Sequence, residues 1–144
     1  MMTEQGLLIR LCAQEGCDSM SLLSSLIDLG WRLDDHGLVR YLAAGDEDYD
    51  WKVTSVSNCH AVMEEIKLKV LCCETVGVVL TFGDLMIGGE WLFFTNGDVL
   101  FTPSINRQVA GGYSDVTWYL HRMLPAFEKG NMGRVESWRW EESF

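Results

Sequence analysis

The apolar positions of this chain follow two spacings, and these predict its first elements. Residues 7–11 form a short apolar run that is typical of a strand. From Ser19, a residue suited to capping a helix, apolar side chains recur at the helical period as far as Trp31. Gly30, near the end of this segment, fits a helix stop. Two more strands are expected at residues 38–42 and 51–56, and an acidic loop at residues 45–50 joins them.

A second helix is predicted from the apolar stripe that follows Asn58, which is a suitable N-cap. The stripe consists of Cys59, Val62, Met63, Ile66, Val70 and Cys73. On the opposite side, Glu65 precedes Lys69 by four residues. That order favours an ion pair on a solvated helix surface, so we expect both side chains to face solvent.

The middle of the chain predicts the centre of a sheet. Residues 76–82 are a β-branched run, and residues 91–101 are typical of a hairpin that turns at Asn96–Gly97. Asn-Gly supplies two residues that tolerate positive φ, so a type I′ turn is expected. Because both arms are apolar at nearly every position, we expect the hairpin to be central and covered on both faces.

A third helix is predicted to begin near Ser114 or Asp115, and its apolar positions continue to Phe127. Pro125 interrupts this pattern, so the helix is expected either to kink there or to end one turn early. Residues 134–142 then alternate, which predicts a closing strand. Its two tryptophans, Trp138 and Trp140, share one face.

The resulting order, β-α-β-β-α-β-β-β-α-β, predicts an α+β fold with a single, mostly antiparallel sheet packed by two or three helices. The length of 144 residues is usual for one domain, and no linker-like tract divides residues 1–144. The first residues lack the pattern of a secretory signal, and no apolar run reaches the length of a membrane span. We therefore expect a single-domain cytoplasmic protein that makes no membrane contact.

Charge narrows the class of partner. The net charge is −10, and ten of the 21 acidic residues lie within residues 1–51, alongside three arginines. A field of this sign repels phosphate backbones, so direct nucleic-acid binding is not expected. The same field attracts a basic protein toward the N-terminal third. The alternative is that the acidity serves only to keep the protein soluble.

Chemistry-bearing residues do not form a recognisable active site. Five cysteines, an odd number, indicate free thiols. The adjacent pairs Cys59–His60 and Cys72–Cys73 lie at opposite ends of the second predicted helix, too far apart to share a zinc ion. His36 is expected in a turn and His121 on the surface, and neither lies in a nucleophile motif. We therefore expect no catalytic residue, no metal and no cofactor.

Residues 46–51 are the strongest candidate for a binding site, because four carboxylates alternate with two aromatic rings on a predicted exposed loop. They are Asp46, Glu47, Asp48, Tyr49, Asp50 and Trp51. Carboxylates pair with Arg and Lys, and Tyr and Trp supply the rigid area typical of interface hot spots. The alternative is a solvated loop with Trp51 turned into the core. Trp118, beside the apolar stripe of the third helix, is a further candidate contact with the same ambiguity.

From Val76 to Glu142 the chain carries an apolar strand, the hairpin at residues 91–101, a helix opening at Ser114–Leu120 and an aromatic strand. In these elements, in its size and in its acidity, it resembles the small immunity proteins that bacteria pair with polymorphic or contact-dependent toxins. The resemblance implies a cytoplasmic, non-catalytic protein that binds one cognate toxin and covers the toxin's active site.

Three functions remain as hypotheses. The first is an acidic inhibitor of a basic toxin or nuclease domain that acts on nucleic acid, since proteins with polyanionic substrates are basic around their sites. The second is a phage-encoded or chromosomal nucleic-acid mimic that inhibits another basic protein. The third is a small enzyme or ligand-binding module whose site forms only in the fold, and which would contain a pocket with a perturbed titratable group.

Overall fold

The computed structural model describes residues 4–12, 19–128 and 134–143, and it confirms an α+β fold. The helices in this part of the chain are α1 (Ser19–Leu29), α2 (Cys59–Leu71) and α3 (Val116–Phe127). The strands are β1 (Glu4–Cys12), β2 (Trp31–Arg32), β3 (Leu38–Leu42), β4 (Trp51–Ser55), β5 (Val76–Phe82), β6 (Ile87–Phe93), β7 (Asp98–Ile105), β8 (Val109–Ala110), β9 (Tyr113–Ser114) and β10 (Arg134–Ser143).

The main sheet has eight strands in the order β10-β1-β7-β6-β5-β3-β4, with β2 also pairing to β5. These strands pair antiparallel with their neighbours. The first and last strands lie side by side, and the β6–β7 hairpin is central, as predicted. Strands β8 and β9 form a separate two-stranded ribbon before α3.

The helices pack on one face of this sheet, which we call the covered face. Its buried strand residues are Leu7, Ile9, Val39, Val76, Val78, Leu80, Ile87, Trp91, Phe93, Val99 and Phe101. Trp31 packs edge-on against Trp91, with ring centroids 5.3 Å apart, and is fully buried. Fully burying a large apolar side chain stabilises a fold by roughly 1.5–3 kcal/mol, so this face contributes most of the core.

The opposite face, which we call the open face, carries the alternate residues of the same strands. Leu8, Leu92 and Leu100 all point to it and are partly exposed. Among the described residues, no helix contributes a buried apolar side chain to it, because the buried apolar residues of all three helices belong to the core cluster of the covered face. The prediction that both faces of the hairpin are covered is therefore wrong for this face, since an apolar run does not reveal which side a helix will occupy.

Two turns differ from the prediction in an informative way. At Asn96–Gly97, Gly97 has a positive φ of 92° and donates its N–H to Phe94 O at 3.2 Å, and Asn96 is not among the residues with positive φ. The expected type I′ turn is therefore wrong there. A turn of type I′ instead occurs at His36–Gly37, where φ is 53° and 86°. The flanking residues Asp35 and Leu38 exchange two backbone hydrogen bonds of 2.8 and 3.0 Å.

Helix ends follow their local chemistry. The first helix ends at Leu29, two residues before the predicted end, because Gly30 has a φ of 123° and Trp31 begins β2. The third helix begins after Asp115, whose carboxylate accepts the N–H of Trp118 at 3.2 Å. It continues through Pro125 to Phe127, so the proline does not end it early.

The second helix lies where it was expected, but three side chains in it or beside it differ from the prediction. Asn58 occupies the N-cap position without a side-chain cap, and its amide donates instead to Thr54 Oγ1 at 2.8 Å. Lys69 is 1% exposed rather than solvated. Cys73 lies beyond the helix and is exposed, so it does not continue the apolar stripe.

Candidate partner-binding site

The acidic loop between β3 and β4 is held at its base by side chains from α2 and from Glu74, in the segment between α2 and β5. Three consecutive loop residues take part, namely Ala43, Ala44 and Gly45. Lys69 Nζ donates to Ala43 O at 2.9 Å, and Glu65 Oε1 accepts the N–H of Ala44 at 3.0 Å. Glu74 Oε1 accepts the N–H of Gly45 at 2.6 Å. The sequence predicted an ion pair between Glu65 and Lys69, whereas the structure directs both toward this loop.

The Lys69 ammonium is the centre of this attachment. Burial lowers its pKa, because desolvation disfavours the charged form, and the charges of Glu74, Asp46 and Glu65 partly oppose that effect. Glu74 Oε1 lies 3.9 Å from Lys69 Nζ. The Lys69 side chain therefore joins α2, the start of the acidic loop and the residues that lead into β5.

Inside the loop, Asp46 has a structural role. Its two carboxylate oxygens accept the N–H groups of Tyr49 and Asp50 at 3.0 and 2.9 Å, which folds residues 46–50 into a tight turn. Asp50 in turn pairs with Lys52 at 2.9 Å. Two of the four predicted contact acids are therefore already engaged within the loop and its flanking strand.

The exposed tip of the loop consists of Glu47, Asp48 and Tyr49. Among the described residues, neither Glu47 nor Asp48 has an ion-pair partner. Tyr49 is 51% exposed and has a positive φ of 56°. A bulky side chain rarely adopts that conformation, so the loop holds this aromatic ring outward at a cost to the backbone.

Beside the tip lies a cleft of about 260 Å³. Its lining combines carboxylates, one aromatic ring and an apolar floor: Leu42, Asp46, Glu47, Tyr49, Glu74 and Thr75. Such a lining suits a long aliphatic side chain that ends in a cation, because the chain can lie along the apolar floor while the charged group meets carboxylates.

Trp51 begins β4 and pairs across the sheet with Leu42. This register places it on the open face, partly buried, and outside the core cluster of the covered face. The alternative in which Trp51 turns into the core is therefore not what the structure has. Trp51 continues the surface of the loop onto the sheet.

Trp118 lies in a different region from the loop. Its ring is 6.1 Å from that of Phe82, the last residue of β5, and the Arg122 guanidinium lies 4.1 Å above it. The loop instead adjoins the first residues of β5, where Leu42 lies against Gly77. The structure thus brings residues 46–51 together but places Trp118 at the other end of β5, on the helix side.

Other chemistry-bearing groups do not converge on this cleft. His36 Nδ1 lies 2.8 Å from Asp35 Oδ1 in the β2–β3 turn, and His121 is exposed as expected. Burial raises the pKa of the Cys59 thiol, which disfavours its nucleophilic form. Within the described ranges, no three His, Cys, Asp or Glu side chains are grouped so that they could hold a metal ion.

Sequence reasoning missed the residues that position the loop. Nothing in the pattern of α2 marks Lys69 as buried, since a lysine four residues after a glutamate is typical of a solvated helix surface. Glu74 lies in the connection between α2 and β5, and no sequence pattern there predicts a contact with the loop. Only the contact between α2 and the loop assigns them a role.

No family of proteins, no curated protein and no solved structure was found to match this chain. In the described residues no helix has both the length and the apolar character needed to cross a membrane.

Proposed function

We propose that this protein is a non-catalytic binding protein that neutralises one basic protein, the expected class being a toxin or nuclease domain that acts on nucleic acid. The acidic loop and its cleft would cover the partner's basic surface. The observation that carries the proposal is a loop attached firmly at its base whose tip presents two unpaired carboxylates and an exposed tyrosine.

Attachment of the loop supports binding because it reduces the entropy lost on association. The backbone of each of the three residues at the base of the loop, 43–45, is hydrogen-bonded to a side chain of α2 or of Glu74. Asp46 then closes the turn of the loop. A loop that is ordered before it meets its partner loses less conformational freedom in the complex. The same contacts account for the burial of Lys69 in α2, because its ammonium group donates to the loop backbone.

The composition of the tip supports a basic partner. Within the described part of the chain, Glu47 and Asp48 have no ion-pair partner, and charge-assisted hydrogen bonds to Arg or Lys are among the strongest polar contacts. The cleft beside them has room for one such side chain, with Tyr49 positioned as a neighbouring ring. A net charge of −10 adds long-range attraction and a strong dependence of the association rate on salt.

The experiment is a tagged pull-down from the source cells at low salt, followed by elution with a salt step and identification of the eluted protein. We expect a single basic protein with a toxin or nuclease activity that the chain inhibits. The direct test is then the affinity of the Glu47→Gln, Asp48→Asn double variant for that protein, which we expect to fall by about tenfold or more, equivalent to about 1.4 kcal/mol.

The matched control is Asp28→Asn with Glu128→Gln, which removes the same charge from two exposed positions outside the loop. Equal losses in both double variants would mean that only net charge matters, which would contradict the site. Asp46 is unsuitable as a probe, because its carboxylate also closes the loop. An unchanged affinity in the loop variant would exclude the tip as the contact.

A further inference from the structure

We propose that the open face of the sheet forms the second half of the partner's footprint, and that it takes a basic protein presenting an apolar ridge with a Lys or Arg beside it. This inference rests on the proposed function, because the acidic loop and the open face share Leu42 and Trp51. It adds a surface, formed by β6, β7 and β1, that no charge pattern in the sequence indicated.

The cross-strand register aligns apolar side chains in one row across the open face. Leu8 pairs with Leu100, and Leu100 pairs with Leu92. Leu92 pairs with Gly77, over which the Leu42 side chain lies, and Leu42 pairs with Trp51. The row therefore runs from the strand next to one sheet edge to the opposite edge strand, where it meets the acidic loop.

On the β5 side of this face the side chains are sheltered, and Val79 at the centre of β5 is only 4% exposed. Leu42 is 1% exposed beneath the acidic loop, and Thr81, at the other end of β5, donates its hydroxyl to Asp34 O at 2.6 Å. On β6, β7 and β1, by contrast, Leu92, Leu100 and Leu8 remain partly exposed. The three leucines therefore supply accessible apolar area in one row, which is the kind of area that a protein partner buries.

Glu90 identifies the chemistry of the occupant. It lies on β6 in the next row, paired with Val79 on one side and Thr102 on the other. The glycines before it allow the strands to approach so closely that a Cβ at Gly88 would collide with the Leu80 carbonyl oxygen. A carboxylate in the middle of this face loses solvation when the face is covered, so a partner must bring a compensating cation.

The other charged side chains of this face are already paired. Arg10 lies 3.1 Å from Asp98, Arg139 lies 3.1 Å from Glu141, and Arg40 lies 3.2 Å from Asp35. Within the described part of the chain, Glu90 has no ion-pair or hydrogen-bond partner. Arg40 is one strand beyond Val79 in the same row, but its guanidinium is held by Asp35.

Charge also selects between a basic partner and a second copy of this chain. Two copies would each bring a net charge of −10, and a symmetric contact centred on this face would bring two unpaired Glu90 side chains together. Like charges brought together in an interface oppose association. A basic surface instead supplies the missing cation and continues onto Glu47 and Asp48.

The test uses a displayed library of random linear peptides, selected against the folded wild-type chain at low salt. We expect selected peptides rich in Lys or Arg and large apolar residues. The affinity of the tightest peptide is then measured for Glu90→Gln and for Leu92→Ser with Leu100→Ser. Each is expected to weaken binding about tenfold. Thermal unfolding of each variant checks that it is folded, and amide shifts in the wild-type chain should map to β6, β7 and β1.

Two further variants separate the possible failures. The loop pair Glu47→Gln, Asp48→Asn reports on the proposed function, and Leu85→Ser, in an exposed turn, is the control for loss of a surface leucine. Peptides that respond to the loop pair but not to Glu90 or the leucines would overturn the open-face inference alone. Peptides without basic residues, insensitive to every variant, would overturn both proposals. A dimer that Leu92→Ser dissociates would show that a second copy occupies the face.

Discussion

The two faces of the central hairpin are made by neighbouring residues of the same strands, yet they differ in almost every physical respect. On β7, Phe101 is fully buried among aromatic rings, whereas the adjacent Leu100 points to the open face and stays partly exposed. Trp91 and Leu92 repeat this contrast on β6. One face has helices above it, whereas in the described part of the chain the other is sheltered by the acidic loop at one corner and by the Asp34 backbone near Thr81.

This contrast shows that a strand with apolar residues at every position can have one side buried in the core and the other side partly exposed. The covered face supplies the buried area that stabilises the fold, because its side chains contact three helices. The open face contributes less to folding, because Leu8, Leu92 and Leu100 remain partly exposed. The acidic loop connects the two regions, since α2 packs on the covered face and also holds the loop over the open one.

The largest expected effect is a difference in unfolding free energy between matched substitutions on the two faces. Phe101→Ala should lower the free energy of unfolding by about 3–5 kcal/mol, because it leaves a cavity among packed rings. Leu100→Ala, one residue away, should cost about 1 kcal/mol or less, because its side chain is already partly hydrated. Urea denaturation of both variants measures the difference. Similar losses would show that the open face is buried in solution as the covered face is.

The next effect concerns the connection between the regions. Lys69→Met removes the hydrogen bond to Ala43 O, and we expect a loss of about 1–2 kcal/mol, reduced by the relief of burying a cation. Amide exchange at Ala44 and Gly45 should become faster, while exchange in β6 and β7 changes less. Lys67→Met is the control on the same helix, since Lys67 is exposed and pairs only with Glu64. Unchanged exchange in the loop would show that Lys69 does not hold it.

A smaller effect separates stability from binding at the loop tip. Tyr49→Gly relieves a left-handed conformation that disfavours a bulky residue, so stability should stay the same or rise by up to about 1 kcal/mol. Binding of the basic partner should weaken, because the ring is lost. Tyr49→Phe keeps both the ring and the strained backbone and should behave like the wild type in both assays. A marked loss of stability in Tyr49→Gly would mean that the ring supports the fold.

The smallest effect is a pH dependence at the turn that shelters the far end of the open face. The N–H of Gly37 donates to Asp34 at 2.7 Å and lowers the pKa of that carboxyl below its usual value, and Arg32 adds to the effect. A carboxyl with a lower pKa in the folded state stabilises the fold above its unfolded pKa, and this contribution is lost as the pH falls through the folded pKa. Urea midpoints between about pH 6 and pH 3 should therefore fall less in Asp34→Asn than in the wild type.

The pattern of apolar and turn-forming residues along the chain predicted most of the helices and strands correctly. The bounds of β3 and β5 match the predicted strands, because short apolar runs bounded by turn residues have few alternatives. The helix stop at Gly30 follows from a residue that adopts positive φ without strain. Errors arose where two sites have equivalent local chemistry, as at Asn96–Gly97 and His36–Gly37, where only the surrounding strands decide which becomes the type I′ turn.

The candidate site was predicted only in part. Residues 46–51 lie together as a loop, but Trp118 lies at the other end of β5, because spatial separation cannot be judged before the strand order is known. The distinction between Asp46, which closes the loop, and Glu47 and Asp48, which are unpaired, depends on backbone geometry around each carboxylate. That these residues bind a partner stays a prediction.

By itself, the sequence determined the class of fold, the order of its main elements and the acidity of the chain, because periodicity and charge are local or additive properties. Only the tertiary structure decided which side of the sheet the helices cover, that Lys69 is buried beneath the acidic loop, and that Glu90 lies beside a row of leucines with no ion-pair partner among the described residues. Burial and pairing depend on contacts between segments far apart in the chain, and no spacing within one segment encodes them.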